Sequence, residues 1–440
     1  MKIATPKKIS EIIASYQSSP EKLAFLPTMK ATDEKGRYLH WDKLRRVYPK
    51  ESELYWLATK MSRASLMTNV TIFNRTFSFC VPSSLLALLH FIDKNAGGLM
   101  ETGLSKTEQN RFLLKSLIME ESISSAQLEG AATTRKVAKE MLETARKPRT
   151  KDEMMIVNNY KLMQQAVNVK NDPLSIELIL SLHQTATHQA IENNAISGAF
   201  RADDEIYIAD YDGNNIHQPP SHQELPQLMS SLCEFANTEH DGDNAPFIHP
   251  IVKGIILHFL IGYIHPFGDG NGRTARALFY WFMLKNNYWL FEYISISRLL
   301  KKAPVKYAKA YIYTETDELD MTYFIYYQAE IIKRAINDLA SYVYDKQKYF
   351  REFSAIIANY TAKLNPTLNQ RQIKILQKAV KEIGYIFTAK EISNEYGVSE
   401  NTARKDLNHL LSLHLLGQFK TGKTVGYISP NNLLEQLQRA

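Results

Sequence analysis

A glycine-rich segment enclosed by two apolar runs sets the strongest limit on what this chain can fold into. The segment reads His-Pro-Phe-Gly-Asp-Gly-Asn-Gly-Arg-Thr-Ala-Arg over residues 265–276, and the apolar runs cover 251–264 and 277–284. Such runs predict two buried helices joined by a short loop. Three glycines within five residues let the loop backbone approach a ligand closely and turn its N–H groups toward an anion. The sequence therefore predicts a helix–loop–helix unit with an anion-binding loop.

The charged side chains of this segment indicate what the anion is. Arg273 and Arg276 are three residues apart, so on a helix they share one face and can both bind phosphate oxygens. A helix that begins near Arg273 would add the free N–H groups and the dipole of its first turn. Asp269 is a hard oxygen ligand suited to Mg²⁺. The unperturbed pKa of His265 lets this side chain accept a proton near pH 7. Together these residues predict a site for a metal-bound polyphosphate with a base beside it.

At these positions the sequence resembles the Fic (Fic/Doc) family, whose signature is H-x-F-x-[DE]-G-N-G-R-x-x-R. Every fixed position is filled, by His265, Phe267, Asp269, Gly270, Asn271, Gly272, Arg273 and Arg276. The alternative is a helix–loop–helix corner with a glycine-rich turn and two solvated arginines, but eight specified positions in twelve seldom coincide by chance. The resemblance implies a mainly α fold, in which a Fic helical core carries a β-hairpin flap.

The resemblance also implies a reaction, the transfer of AMP from ATP to a Ser, Thr or Tyr hydroxyl, either of a separate target protein or of this protein itself. His265 would be the catalytic base, and Asp269 would hold Mg²⁺. The ATP-binding residues would be Gly270, Asn271, Gly272, Arg273, Thr274, Ala275 and Arg276, together with Glu129. The side chain of Asn271 would be among the groups that bind the phosphates.

A second motif, Ser125-x-x-x-Glu129-Gly130, matches the [ST]-x-x-x-E-[GN] inhibitory motif of many Fic proteins. Taken alone, it indicates a helix C-terminus capped by Gly130. Upstream of a complete Fic signature, the resemblance implies that Glu129 pairs with Arg276 and keeps it from the γ-phosphate of ATP. A carboxylate can do so because it competes with phosphate for the same guanidinium fork. We therefore expect an autoinhibited enzyme with an inhibitory helix near residues 120–130.

A hairpin is predicted between the two motifs, because Asp212-Gly213 lies between β-prone segments. Its first strand would contain Ile206, Tyr207 and Ile208. In the Fic family this hairpin is the flap over the active site, and it holds the target by backbone pairing. Pairing of that kind carries little sequence information, so the target protein cannot be identified from this segment.

The composition is that of a soluble globular protein of several domains. The 440 residues are 45% hydrophobic and 22% charged, with a net charge of +7. We expect an N-terminal module at 1–110, the catalytic core at 111–330, a helical connector at 331–365 and a winged-helix domain at 366–440. The sequence contains no run of about twenty apolar residues, so no membrane-spanning helix is predicted. The two cysteines form no disulfide framework, which favours a cytoplasmic location. The sequence leaves the oligomeric state open, and a homo-oligomer is one possibility.

The C-terminal region has the element order of a winged helix-turn-helix domain. Helices are predicted at 370–383, 389–396 and 400–413, and two short strands between 417 and 428. The third of these helices would present Asn401, Thr402, Arg404 and Lys405 to DNA. The alternative is a module for protein contacts or dimerisation.

Three functions therefore remain open at this point. The first is a protein adenylyltransferase restrained by Glu129. The second is a DNA-binding regulator that uses the Fic core as a nucleotide sensor, and the third is a deAMPylase in which Glu129 positions water. The sequence does not identify the target protein, the event that releases Glu129, or whether ATP is the only nucleotide used.

Overall fold

The computed structural model describes two compact units, Met1–Leu339 and Ala340–Ala440. The described residues are 3–17, 20–24, 26, 29, 32–97, 108–191, 195–210, 212–362, 367–382, 384–421 and 424–439. The division between the units falls inside the predicted connector, 331–365. The predicted start of the last domain, residue 366, lies outside the described residues. None of the helices in these ranges combines the length and the apolar character that a membrane span requires.

The first unit is mainly helical, as the sequence predicts. Its helices are α1 (Ile9–Ser15), α2 (Pro20–Leu23), α3 (Trp41–Val47), α4 (Ser52–Ala64), α5 (Ser83–Ile92), α6 (Glu108–Leu128), α7 (Arg135–Thr144), α8 (Lys151–Asn168), α9 (Ile176–Thr187), α10 (Leu225–Asn237), α11 (Pro250–Ile264), α12 (Asn271–Lys285), α13 (Ser297–Lys301) and α14 (Pro304–Thr316). The long helix α15 (Thr322–Thr361) follows. Two antiparallel hairpins interrupt the helices, β1 (Met67–Ile72) with β2 (Arg75–Cys80), and β3 (Ile208–Ala209) with β4 (Asn215–His217).

The helices α11 and α12 form a buried hairpin at the centre of this unit. A helix that is apolar on all sides must be covered on all sides, and nearly every residue of both helices is buried. Each fully buried Leu, Ile or Phe contributes roughly 1.5–3 kcal/mol relative to an exposed one. A Cβ at Gly254 would lie 2.4 Å from Cε of Met283, so glycine at this position lets the two helices pack closely. The loop between α11 and α12 is therefore anchored by the best-packed part of the fold.

The N-terminal residues are attached to the core by a buried ion-pair group. Arg63 of α4 lies 3.2 Å from Asp317 and 2.9 Å from Asp320, and all three side chains are almost completely buried. The hairpin β1–β2 joins the same segment, because Ser78 accepts a hydrogen bond from the N–H of Met321. These contacts make the first hundred residues and the helical core one compact unit.

The second unit has the winged helix-turn-helix order that the sequence predicts. It contains α16 (Gln370–Lys381), α17 (Ala389–Tyr396), α18 (Glu400–Ser412) and α19 (Leu433–Arg439), with a sheet of order β5-β7-β6 formed by β5 (Ile386–Phe387), β6 (Gly417–Thr421) and β7 (Thr424–Ile428). Thr388 caps α17 and Ser399 caps α18, each accepting a bond from a backbone N–H. Gly397 makes the turn between them with a φ of 64°. Residue 383 and the turn at 422–423 lie outside the described residues.

Candidate functional site

The loop between α11 and α12 is bounded by two residues in the left-handed conformation. His265 ends α11 with a φ of 49°, and Gly270 precedes α12 with a φ of 82°. Glycine adopts this conformation without strain, whereas histidine does so at a cost. The backbone N–H of His265 still donates to the carbonyl of Ile261 at 3.0 Å. The left-handed conformations of His265 and Gly270 thus reverse the direction of the chain within a few residues. They also place the imidazole at the end of the buried helix α11.

The side chain of Asn271 holds the loop together. Its Oδ1 accepts from the N–H of Phe267 at 3.0 Å, and its Nδ2 donates to the carbonyl of the same residue at 2.7 Å. The sequence assigned this side chain to the phosphates of ATP, but its amide is occupied by the loop backbone. Asn271 can therefore offer an anion its backbone N–H at the start of α12.

His183 is a second support of the loop, which the sequence analysis did not find. Its ring stacks on Phe267, with centroids 3.7 Å apart and an interplanar angle of 3°. Nδ1 accepts from the N–H of Gly198 at 3.0 Å, so Nε2 carries the proton and donates to the carbonyl of Asp269 at 2.8 Å. Burial lowers the pKa of His183 to about 4, which keeps the ring neutral. The histidine positions the loop and does not face a substrate.

Arg201 is a third support that sequence reasoning missed. Its Nε donates to the carbonyl of His265 at 3.0 Å, and its backbone N–H donates to the carbonyl of Pro266 at 2.9 Å. The guanidinium also donates to Asp204 at 2.7 Å and to the carbonyl of Pro220. Arg201 therefore ties the loop to the segment that carries the hairpin β3–β4.

The imidazole of His265 is half-buried and neutral. Burial, reinforced by the charges of His217 and Arg201, lowers the pKa of His265 to about 4. Nδ1 lies 3.3 Å from the carbonyl of Gly262, so Nδ1 is the donor and Nε2 has the lone pair. Nε2 has no hydrogen-bond partner within the described ranges. The ring is therefore in the tautomer that can accept a proton at Nε2.

Asp269 lies at the start of α12, where its carboxylate is held by cationic and backbone donors. Oδ1 accepts from the N–H of Gly270 at 2.5 Å and from Nη2 of Arg273 at 3.0 Å. Arg273 is fixed in turn, because its Nη1 donates to the carbonyl of Ala186 at 2.8 Å. The described residues contain no group of three or more His, Cys, Asp or Glu side chains that could hold a metal ion. A single partly exposed carboxylate fits Mg²⁺ that is shared with substrate phosphates and water.

Arg276 is almost completely buried, and two residues at the end of α6 bind it. Its Nε donates to Oγ of Ser125 at 2.9 Å, and its Nη2 lies 2.9 Å from Oε1 of Glu129. Nη1 is buried without a hydrogen-bond partner in the part of the chain that the structure describes. Burial disfavours the charge, but the carboxylate of Glu129 outweighs it and raises the pKa of Arg276 above its ordinary value. The structure thus brings together the two motifs that the sequence pairs.

The carboxylate of Glu129 lies at the N-terminal end of α12. A Cβ at Gly272 would lie 2.2 Å from Oε1 of Glu129, so the carboxylate touches the backbone of the first helical turn. Gly130 has a φ of 99°, and the N–H of Ala131 donates to the carbonyl of Ala126, which is the glycine C-cap expected at this position. The cap ends α6 and turns Glu129 toward the loop. The side chain therefore occupies a position where backbone N–H groups favour an anion.

The hairpin β3–β4 is shorter than the sequence predicts. Ile208 pairs with His217 within the hairpin, whereas Ile206 and Tyr207 precede its first strand. Tyr207 is 51% exposed. The ring of His217 contacts Glu315 at 2.7 Å and the carbonyl of Tyr263 at 2.8 Å, which fixes one end of the hairpin to α11 and α14.

The residues that the sequence assigned to DNA contacts lie on α18. Asn401, Arg404 and Lys405 are exposed, and Thr402 is half-buried with its Oγ1 2.9 Å from Oγ of Ser399. The opposite face of α18 is held by the buried carboxylate of Asp406, which accepts from Arg371 at 2.8 Å. Three of the four side chains are therefore free to meet a ligand.

The fold is mainly helical, with a glycine-rich loop at the start of α12, and a helix-turn-helix module follows. Residues 173–283 match the sequence model of the Fic/DOC family, and residues 371–421 match that of the DeoR-like helix-turn-helix domain. The chain therefore carries a Fic/DOC domain and a C-terminal helix-turn-helix domain.

Curated relatives are similar to this chain over part of their length. The Nematostella vectensis protein adenylyltransferase Fic is 29% identical over 127 residues, which are 29% of this chain and 26% of the relative. The Drosophila melanogaster protein adenylyltransferase Fic is 27% identical over 166 residues, which are 37% of this chain and 31% of the relative. The chain thus matches about a third or less of each relative's length.

Solved structures that are similar include a Fic family protein from Desulfovibrio desulfuricans G20, with a TM-score of 0.49 and 17% identity over 78% of this chain and 94% of that one. Fic-1 from C. elegans has a TM-score of 0.47 and 16% identity, over 77% of this chain and 98% of that one.

Proposed function

We propose that this protein transfers AMP from ATP to a Ser, Thr or Tyr hydroxyl of a protein, and that Glu129 restrains this reaction. The observation that carries the proposal is the ion pair between Glu129 and Arg276 at the N-terminal end of α12. A site built for an anion is filled here by a carboxylate of the same chain. The curated relatives, which are named protein adenylyltransferases, support the choice of reaction.

The proposed chemistry follows from the neutral ring of His265. Nε2 takes the proton of the target hydroxyl, and the hydroxyl oxygen forms a bond to the α-phosphorus of ATP. The bond between this phosphorus and the bridging oxygen breaks, and pyrophosphate leaves. Mg²⁺ held by Asp269 would neutralise charge on the phosphates when it is bound. Positioning and charge stabilisation contribute most of the rate in reactions of this class.

The N-terminal turn of α12 is the proposed phosphate site. The backbone N–H groups of Asn271 and Gly272 would face an anion there, and the helix dipole favours negative charge, whereas the N–H of Gly270 is bonded to Oδ1 of Asp269. The hydroxyl and the N–H of Thr274 are both bonded to the carbonyl of Gly270 at 3.0 Å, and Ala275 is buried, so their proposed role is to support this turn.

The two arginines have different proposed roles. Arg273 is held in place by Asp269 and by the carbonyl of Ala186. A guanidinium fixed in this way would neutralise the charge of a bound phosphate without moving. Arg276 would bind the γ-phosphate once Glu129 leaves it. The carboxylate of Glu129 and a phosphate would compete for the same Nη donors of this guanidinium, so binding of one would exclude the other.

The experiment uses the Glu129→Gly variant and ATP labelled at either the α- or the γ-phosphate, with Mg²⁺. The proposal expects protein labelled from α-labelled ATP, release of pyrophosphate, and no label from γ-labelled ATP. Label from γ-labelled ATP would mean phosphate transfer and would contradict the proposal, as would a protein that accepts neither label. Removal of AMP from the modified protein by the wild type, but not by Glu129→Gly, would support the deAMPylase instead.

We infer a second activity, DNA binding, for the C-terminal unit. The DeoR-like match and the exposed Asn401, Arg404 and Lys405 of α18 favour it. The full chain should select a sequence from a random DNA pool, with affinity that falls as salt rises. Arg404→Ala should weaken this binding about tenfold, whereas Lys381→Ala on α16 should change it little. Equal effects of the two variants, or no selected sequence, would favour a module for protein contacts.

A further inference from the structure

A cavity of about 380 Å³ lies against a different face of α14 from the one that meets the catalytic loop. Tyr307 and Tyr311 face the loop side, because Tyr307 is bonded to His258 at 2.8 Å and Tyr311 contacts Gly262. The cavity is lined instead by Lys306, Lys309, Ala310 and Tyr313 of the same helix. Residues three and four apart share a helical face, so these four form one surface that is separate from the tyrosine pair. No residue of the segment 265–276 lines the cavity.

The lining of this cavity carries an excess of positive charge. Five cationic side chains line it, Arg37, Lys43, Lys306, Lys309 and Arg334, against the single carboxylate of Glu330. That carboxylate is already paired with Arg37 at 3.0 Å, and Arg37 is also paired with Asp33 at 2.8 Å, so its charge is balanced within the protein. The other four cations have no carboxylate within salt-bridge distance among the residues that the structure describes.

Mutual repulsion within this group is visible at Lys43. Burial lowers the pKa of Lys43, and the charges of Arg37, Lys309 and Lys306 lower it further. Cations gathered around a cavity without counter-charges disfavour one another, and a bound anion would relieve this repulsion. The charge pattern therefore points to a ligand with more than one negative charge.

The same cavity has an aromatic wall. It is formed by five tyrosines, Tyr38, Tyr313, Tyr323, Tyr326 and Tyr327. The hydroxyls of Tyr326 and Tyr323 are bonded to Ser84 and Asp317, respectively. The hydroxyl of Tyr327 is buried and has no hydrogen-bond partner in the described ranges. A polar group of a bound ligand would supply the missing hydrogen-bond partner.

We propose that this cavity is a second binding site, and that it takes a nucleoside polyphosphate. The lysines and arginines bind the phosphates, and the tyrosines bind the planar base. The volume lies within the range of pockets that hold small organic ligands. The proposal stands apart from the transfer reaction, because no step of that reaction uses these residues.

The test is calorimetric titration of the full chain with ADP and, separately, with inorganic pyrophosphate. The charge-reversal variant Lys306→Glu/Lys309→Glu is compared with Lys136→Glu/Lys139→Glu, which has the same spacing and the same charge change on α7. A third variant, Arg273→Ala, removes the guanidinium that the proposed function places at the phosphates of the catalytic loop. Circular dichroism and thermal unfolding establish that each variant is folded.

The proposal expects one class of ADP sites to lose at least tenfold in affinity in Lys306→Glu/Lys309→Glu, and to persist in Arg273→Ala and in the α7 variant. Tyr327→Phe should weaken the same site several-fold, and pyrophosphate should bind less tightly than ADP. Loss of this site in Arg273→Ala, or an equal loss in the α7 variant, would overturn the assignment to the cavity. Pyrophosphate that binds as tightly as ADP would overturn the assignment of the base to the tyrosines.

Discussion

Oε1 of Glu129 lies 2.9 Å from Nη2 of Arg276, and the same carboxylate touches the backbone of Gly272 in the first turn of α12. Ser125, one helical turn earlier, binds Nε of the same guanidinium at 2.9 Å. The end of α6, with the residue that follows it, therefore contacts both the backbone and the side-chain parts of the proposed phosphate site.

Replacing Glu129 by Gln tests the charge of this contact. The amide has nearly the same shape and can still bond to Arg276, but the ion pair is lost. We expect a rate of AMP incorporation between that of the wild type and that of Glu129→Gly, measured as initial rates with labelled ATP. A Glu129→Gln variant as inactive as the wild type would mean that shape, and not charge, blocks the site.

Ser125→Ala should release Arg276 in part. The substitution removes the bond between Oγ and Nε, and a hydrogen bond to a charged group contributes about 1.5–3 kcal/mol. We expect AMP incorporation to rise about tenfold, which is less than for Glu129→Gly. The control is Ser124→Ala on the same helix, a buried serine for which the described residues show no bond to Arg276. Equal activation in both variants would mean that loosening of α6, and not the bond, is responsible.

The pH profile of kcat/KM should report the lowered pKa of His265. The base must be neutral, and a group with a pKa of about 4 is neutral at all higher pH values. The rate in Glu129→Gly should therefore be flat from pH 8 down to about pH 5 and fall only toward pH 4, whereas an ordinary imidazole would lose activity below about pH 6.5. A fall in kcat/KM near pH 6.5 would contradict the lowered pKa of His265.

His183→Phe should lower the rate while the fold persists. The new ring can keep the stack on Phe267, but the bonds to Asp269 and to Gly198 are lost. Because the loop then carries Asp269 less rigidly, we expect kcat in the Glu129→Gly background to fall about 10- to 100-fold. The matched control is His188→Phe, an exposed position just beyond the same helix. Activity equal to that of the control would remove His183 as a positioning residue.

Arg63→Ala should destabilise the first unit by about 3–5 kcal/mol, because it leaves the buried carboxylate of Asp320 without its ion pair and that of Asp317 with Lys60 as its remaining cation. Lys60→Ala should lower the free energy of unfolding by less, because Lys60 is more exposed than Arg63 and because the substitution keeps Arg63 beside Asp317. Chemical denaturation at pH 7 measures both.

The same ion-pair group should make unfolding sensitive to acid. Burial would raise the pKa of Asp317, but Lys60 and Arg63 outweigh it, so the folded-state pKa is lowered. A group with a lowered pKa stabilises the fold above its unfolded value of about 3.9 and loses this contribution as the pH falls below that value. Unchanged stability in Arg63→Ala would contradict the role of this group.

The features found from sequence are those whose information is contiguous in the chain. The helices α11 and α12 follow from their apolar runs, and the loop between them follows from its glycines. The helices and strands of the second unit are equally local, because each follows from the pattern of its own residues. Pairing Glu129 with Arg276 needed the family resemblance, because the spacing of a Ser and a Glu-Gly pair does not indicate a distant partner.

The features that were missed act through tertiary contacts with backbone atoms. His183 and Arg201 bind carbonyls of the loop, and a single histidine or arginine leaves no periodic signal in the sequence. The bonds between the amide of Asn271 and the backbone of Phe267 form only in the folded loop, so the sequence does not reveal them. For this reason the amide was assigned to phosphate. The predicted strand was too long because Ile206 and Tyr207 have side chains that favour a strand. In the folded hairpin β3–β4, however, these two residues lie outside the paired segment.

The most direct measurement compares AMP incorporation from α-labelled ATP in three forms of the full chain. These are the wild type, Glu129→Gly, and Glu129→Gly with His265→Ala. The account predicts weak labelling in the first, strong labelling in the second and none in the third. Labelling of the third form as strong as that of the second, or of the wild type as strong as that of Glu129→Gly, would contradict it.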